Sequence, residues 1–237
     1  QEDLHHGHGV GPAMRKVVHQ MGEDGWLGIG WPKEYGGQGR TPLEQFIFFD
    51  ESMRCGAPVP MLTTNTVGPT IMNFGTQEQK EFFLPQIVKG DIFFCIGYTE
   101  PGAGTDLAAL QTKAVRDGDE YVINGQKIFT SLASDADYCW LAVRTNPEAK
   151  KHKGISMVIV PMDTPGIEVV PMSLLSEHDI NQVYFSDVRV PVDNCVGGEN
   201  NGWTLVTNQL NHERVTLCSS GMIENSITEV RDWAQQT

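Results

Sequence analysis

From residue 12 to about 90 the apolar positions recur at helical spacing. Met14, Val17, Val18 and Met21 return at intervals of three and four behind Pro12, a residue suited to a first helical turn. Thr41-Pro42-Leu43-Glu44 reads as a capping box, with Thr and Glu placed to satisfy backbone N–H groups reciprocally, and opens a helix through Met53. Thr76-Gln77-Glu78-Gln79 is a second such box, and Gly90 is a stop after Val88. Gly28 to Arg40 and Cys55 to Thr66 read as loops. From 91 to about 198 the period drops to two and β-branched residues take over. Phe93–Tyr98, Thr112–Arg116, Glu120–Ile123, Tyr138–Val143, Ile155–Val160 and Val183–Phe185 are the predicted strands, with Asp117-Gly118 and Asn124-Gly125 as turns. Beyond 202, Val206, Leu210, Leu217, Ile227, Val230 and Trp233 return to helical spacing. The order is helices, strands, helices, an α+β fold with units at 1–90, 91–198 and 199–237. Short strands at this spacing suggest an antiparallel barrel or sandwich. They do not alternate with helices, which disfavours a parallel nucleotide-binding sheet, and neither G-x-G-x-x-G nor a P-loop occurs.

Charge narrows the function classes. The chain of 237 residues carries 17 Lys+Arg against 30 Asp+Glu, a net charge of -13. Such a balance argues against nucleic acid and against an anionic membrane surface as partners. No apolar run is long enough to span a bilayer, and no signal peptide opens the sequence. Cys55, Cys95, Cys139, Cys195 and Cys218 are widely spaced, as expected of reduced thiols in a cytoplasmic protein. His5, His6 and His8 cluster in a Gly-rich leader with no further ligand at metal spacing, so no metal site is expected. Gln1 in place of Met, and a helical pattern running to Thr237, suggest that both ends are incomplete.

Three segments hold candidate chemistry. Tyr98-Thr99-Glu100-Pro101-Gly102-Ala103-Gly104-Thr105-Asp106 follows a predicted strand. Its glycines allow backbone N–H groups close to an anion, and its threonines add hydroxyls; a plain Gly-rich turn is the alternative. Gln126-Lys127-Ile128-Phe129-Thr130-Ser131 joins an aromatic to two hydroxyls, either a strand end or one wall of a flavin-sized slot. In Asn211-His212-Glu213-Arg214, Glu213 shares a helical face with Val206, Leu210 and Leu217. Desolvation there would raise its pKa and suit a base, whereas a structural salt bridge is the competing reading.

The whole chain resembles the acyl-CoA dehydrogenase family. The resemblance runs through Trp31-Pro32-Lys33-Glu34-Tyr35-Gly36-Gly37, Phe74-Gly75-Thr76-Gln77-Glu78-Gln79-Lys80, the Thr99–Asp106 motif, Asn124-Gly125-Gln126-Lys127, Asp187-Val188-Arg189-Val190-Pro191 and Gly198-Glu199-Asn200-Asn201-Gly202-Trp203. It implies an N-terminal helical domain, a middle β-barrel and the first helix of a C-terminal bundle. It also implies FAD, held by Ile96, Tyr98, Thr99, Gly102, Gly104 and Thr105 together with Phe129, Thr130 and Ser131. Phe129 stands where a Trp is common. The implied reaction is α,β-dehydrogenation of an acyl-CoA thioester to the trans-2-enoyl-CoA, with electron-transfer flavoprotein as acceptor. Glu213-Arg214 matches one of the family's two base positions, which makes Glu213 the base; Thr105, Asn211 and Arg214 would lie near substrate. Thr207–Val215 and Trp140–Pro147 further resemble base-bearing subunits of actinobacterial α2β2 enzymes that act on steroid side-chain thioesters. A homotetrameric branched- or medium-chain enzyme, a non-catalytic partner subunit and a flavin oxidase are the other readings.

Overall fold

The computed structural model describes residues 10–175, 179–216 and 219–236, with 179, 215 and 216 described by backbone only. His5, His6, His8, Leu217 and Cys218 lie outside the described residues. Both capping boxes form. Thr41 Oγ1 accepts from Glu44 N at 3.2 Å while Thr41 N donates to Glu44 Oε2 at 2.8 Å, opening α2 (Pro42–Arg54). Thr76 and Gln79 do the same for α4 (Gln77–Val88), and Gly90, at φ 72°, ends it. Ahead of these, α1 (Pro12–Glu23) docks on the sheet through Arg15, whose guanidinium meets Asp137 at 3.1 Å and lies 4.7 Å from the Phe93 ring.

The stretch read as a loop at 55–66 is helical in its second half. A π-helical turn, Thr63–Val67, runs directly into α3 (Gly68–Phe74). Its residues are buried but mostly polar, so no apolar rhythm announces it. Tertiary bonds hold it instead: the Trp31 indole donates to Thr64 O at 3.1 Å, Thr64 Oγ1 donates to Pro60 O at 3.0 Å, and Thr63 Oγ1 accepts from Phe94 N at 3.0 Å.

Eight strands follow: β1 (Phe94–Gly97), β2 (Lys113–Asp117), β3 (Glu120–Ser131), β4 (Tyr138–Arg144), β5 (Ile155–Pro161), β6 (Ile167–Ser173), β7 (Asp179–Pro191) and β8 (Cys195–Val196). The ladder runs β6-β7-β3-β2-β4-β5-β8, with β1 on β4. Most pairs are antiparallel, but β1–β4 and β2–β4 are parallel, so the sheet is mixed. Among the described residues no ladder joins β6 to β8, and the sheet curls without hydrogen-bonded closure. The curl encloses a core: Cys139, Leu141, Val143, Val158, Val160, Val183, Phe185 and Val188 converge inside it. The alternate residues Trp140, Ala142, Met157 and Ile159 pack outward against Ile71, Leu84, Leu205 and Val206 of the helices. Strands β4 and β5 are thus buried on both faces, which explains their unbroken apolar runs.

The Asp117-Gly118 turn joins β2 to β3 as expected, with Asp117 paired to Glu120. Asn124-Gly125 is not a turn. β3 runs through it with a register shift against β7, and the Asn124 amide is bonded both ways to Asp187, at 3.0 and 2.9 Å. A side chain at Gly125 would come within 2.4 Å of Thr112 Oγ1, so the close approach of β2 requires glycine. The C-terminal stretch, expected to be one helix, is two: α5 (Gly202–Thr216) and α6 (Ser220–Gln236). The physical reason is Asp50 on α2. Its carboxylate accepts from Ser219 Oγ at 2.8 Å and from Gly221 N at 3.0 Å, and so anchors the start of a new helix.

Candidate active site

The Gly-rich segment leaves β1 and is fastened at once to β3. Ile128 N donates to Thr99 O at 2.9 Å, which lays Tyr98-Thr99 alongside Lys127-Ile128. A buried ion pair repeats the fastening. Lys127 Nζ donates to Glu100 Oε1 at 2.8 Å and to Tyr98 O at 3.1 Å. Glu100 also accepts from Gln111 N at 2.6 Å and Thr112 N at 2.8 Å. Burial pushes the Glu100 carboxyl up, but Lys127 and the backbone donors outweigh it and hold the group below the usual carboxylate range. Glu100 and Ala103 exchange backbone hydrogen bonds at 3.0 Å, which closes a tight turn over Pro101-Gly102. A side chain added at Gly102 would meet nothing within 4 Å, so open space lies against that backbone.

The neighbouring wall is the end of β3. Phe129 holds the left-handed region at φ 59° and is 56% exposed, and Leu132 follows at φ 67°. The β3–β7 register shifts between Lys127 and Thr130, so the bulge turns Phe129 out of the sheet. Thr130 is buried, and its Oγ1 has no hydrogen-bond partner among the described residues. An outward aromatic, an orphaned hydroxyl and an open glycine backbone are what a planar, polar-edged cofactor needs, so these residues fit a flavin. Ser131 and Thr105 are exposed beside them, Gly104 is exposed, and Thr99 is half-buried.

Ile96 and Tyr98 turn the other way, toward α5. Ile96 packs partly buried against the helix-facing core. The Tyr98 hydroxyl accepts from Trp140 Nε1 at 3.2 Å and donates to Gln209 Oε1 at 2.9 Å; Gln209 Nε2 then donates to Glu213 Oε2 at 2.9 Å. Burial, reinforced by the negative charge of Glu213, pushes the Tyr98 hydroxyl well above the usual phenol range, so it stays an O–H donor. Glu213 is half-buried, and the face it shares is not wholly apolar, because Gln209 is fully buried in it.

Next to Glu213, Asn211 and His212 form one wall of a cavity of about 370 Å³. Phe49 and Met53 of α2, Met61, and Met72 of α3 are among the residues that line the rest, with Asp50 and Asn65 as polar members. Arg214 is exposed on α5. The structure therefore joins the Gly-rich segment to the 127–131 segment, and the first of these to Glu213. It sets Asn211 on the cavity and Arg214 at the surface. Sequence reasoning assigned no role to Gln209, Trp140, Lys127 or Glu100. Gln209 was open to discovery, since a residue four before Glu213 must share its face.

Comparisons with known proteins identify the family. A model described as acyl-CoA dehydrogenase, N-terminal domain, matches residues 3–91, and one described as acyl-CoA dehydrogenase, middle domain, matches residues 95–188. Acyl-CoA dehydrogenase FadE26 of Mycobacterium tuberculosis is 61% identical over 233 residues, 97% of this chain and 58% of that protein. The crystal structure of the ChsE4-ChsE5 complex from Mycobacterium tuberculosis contains a chain that matches with TM-score 0.89 and 58% identity. That match covers 100% of this chain and 62% of the other. The Tcur3481-Tcur3483 steroid ACAD matches with TM-score 0.91 and 55% identity, over 100% of this chain and 62% of that one. The chain thus spans about 60% of the length of these relatives. Two consecutive domain models, the high identities and the shared fold establish that the chain belongs to the acyl-CoA dehydrogenase family.

Proposed function

We propose that this chain is the FAD-holding, base-bearing part of an enzyme that dehydrogenates an acyl-CoA thioester between its α and β carbons. The observation that carries the reading is the Tyr98–Gln209–Glu213 connection, which ties a half-buried carboxylate on α5 to the Gly-rich segment leaving β1. Tyr98, Thr99, Gly102, Gly104 and Thr105 form one side of the cofactor site, and Phe129, Thr130 and Ser131 the other. FAD, when bound, supplies the acceptor for the β-hydrogen and its electron pair. Glu213 takes the α-proton on a carboxylate oxygen. Phe129 presents an aromatic face, Thr130 Oγ1 and Ser131 offer hydroxyls to a polar ring edge, and Glu100–Lys127 keeps both segments in register. The apolar cavity beside Asn211 takes the acyl group and keeps water from the carbons that react. Arg214 stands at the surface, where the anionic CoA end would lie. Electrons would leave to an electron-transfer flavoprotein.

The finer reading is a steroid side-chain thioester and an α2β2 assembly with a second, similar subunit. Its support is that one of the matched structures is the ChsE4-ChsE5 complex and another a steroid ACAD. The test is a visible spectrum of the full-length protein, alone and co-expressed with a dehydrogenase-like partner, before and after anaerobic addition of steroid and short branched thioesters. A flavin band confined to the co-expressed sample and bleached by the steroid thioester is expected. A band in the lone protein bleached by a short branched thioester would instead make it a homotetrameric enzyme.

A further inference from the structure

We propose that Tyr98 and Gln209 are positioning residues for Glu213: the buried line Trp140–Tyr98–Gln209 fixes which end of the Gln209 amide meets the carboxylate and holds that carboxylate in place. The inference rests on Glu213 being the base. The logic is one of donors and acceptors. An indole N–H only donates, so the Tyr98 oxygen accepts from Trp140, at 3.2 Å. The single Tyr98 O–H is then directed to Gln209 Oε1, at 2.9 Å. With its oxygen so engaged, the amide turns its NH₂ to Glu213 Oε2, at 2.9 Å. A flipped amide would set an oxygen against the carboxylate and leave the Tyr98 O–H without an acceptor there. Trp140 and Gln209 are fully buried and Tyr98 is 8% exposed, so water is a poor substitute. An i,i+4 pair on a solvated helix would be adaptable. This one is anchored two residues deep in the sheet, because Trp140 lies on β4 in register with Ile96 of β1.

The π-helical turn, α3 and β5, which pack against α5, carry no ionisable residue. Lys151, His152 and Lys153 meet α5 at its first turn, where His152 lies 6.2 Å from Trp203. His212 and Arg214 flank Glu213 on its own helix, Asp50 of α2 lines the cavity that Asn211 and His212 also line, and Tyr98 reaches Glu213 from the sheet through Gln209.

The test uses the full-length holoenzyme with its partner, comparing Tyr98→Phe, Gln209→Met and Glu213→Gln with the wild type. Flavin content, melting temperature, kcat and KM are read for each. Turnover at neutral pH is expected to fall about tenfold with KM little changed, as for a base held in poorer alignment. If Gln209→Met loses its flavin or its fold, Tyr98→Phe decides alone, since it keeps the ring and removes only the oxygen. Turnover within about twofold of wild type in Tyr98→Phe and in folded Gln209→Met, with Glu213→Gln inactive, would overturn the inference and leave the base assignment standing. Near-normal turnover in Glu213→Gln would remove the base assignment itself.

Discussion

Phe129 combines an exposed ring with a backbone that an L-residue avoids, φ 59°. That conformation costs on the order of 1 kcal/mol, and the ring is more than half exposed. The account assigns the ring to a flavin, so stability and function should separate at this position. Phe129→Gly is expected to raise the unfolding free energy by about 1 kcal/mol while lowering the flavin retained after gel filtration. Thr130→Val should leave stability nearly unchanged and lower flavin retention, because the hydroxyl it removes has no partner in the fold. Lys127 behaves oppositely. It is fully buried with its ammonium on Glu100, so Lys127→Met strands a buried carboxylate and is expected to cost about 3–5 kcal/mol in denaturant unfolding. None of these three roles was legible from residue type alone. Phe129 and Thr130 were named as a flavin wall from their chemistry, but the backbone strain and the orphaned hydroxyl exist only once the β3–β7 register is set. The sequence reading gave Lys127 no role of its own, because its neutralising partner Glu100 lies on another segment.

At the scale of elements, local signals were read best. Thr41 and Thr76 specify their helices through contacts three residues away, so the sequence carries the whole message. Non-local signals were misread. Asn124-Gly125 is a strong turn pair in isolation, yet the ladder to β7 and the Asn124–Asp187 bonds carry the strand through it. The π-helical turn at Thr63–Val67 depends on Trp31, far upstream, and has no rhythm of its own. The break between α5 and α6 depends on Asp50. The Gly221 N–H and the Ser219 and Ser220 hydroxyls hold the Asp50 carboxyl down to about 2. A depressed carboxyl contributes stability that is full above its unfolded value, about 3.9, and is lost as pH falls through the folded one. The melting advantage of wild type over Asp50→Asn is therefore expected to be constant above pH ~4.5 and to shrink steadily toward pH ~2. An advantage that did not change with pH would mean that the carboxylate charge does not hold α6 on α2.

For the molecule as a whole, the order of helices, mixed sheet and helices follows from the change of apolar period along the chain, and that change is visible without coordinates. The sheet's curl follows from strands that bury one alternate set inward and, in β4 and β5, the other set against helices. Among the described residues no helix is long and apolar enough to cross a membrane. What pattern alone left open was the meeting of three distant segments, residues 98–105, 127–131 and 209–213, at one place. The family's motifs marked each of them, and the backbone bond from Ile128 to Thr99 and the relay through Gln209 show how they are held together.

The central claim is that Glu213 removes the α-proton of a thioester bound beside the flavin segments. The most direct measurement is stopped-flow bleaching of the flavin band in full-length wild type and Glu213→Gln, each prepared as the holoenzyme and mixed anaerobically with an acyl-CoA. Equal flavin content is expected in both, with a bleaching rate lower by at least about a thousandfold in Glu213→Gln. Bleaching at a rate near wild type in a Glu213→Gln protein that holds its full flavin would contradict it.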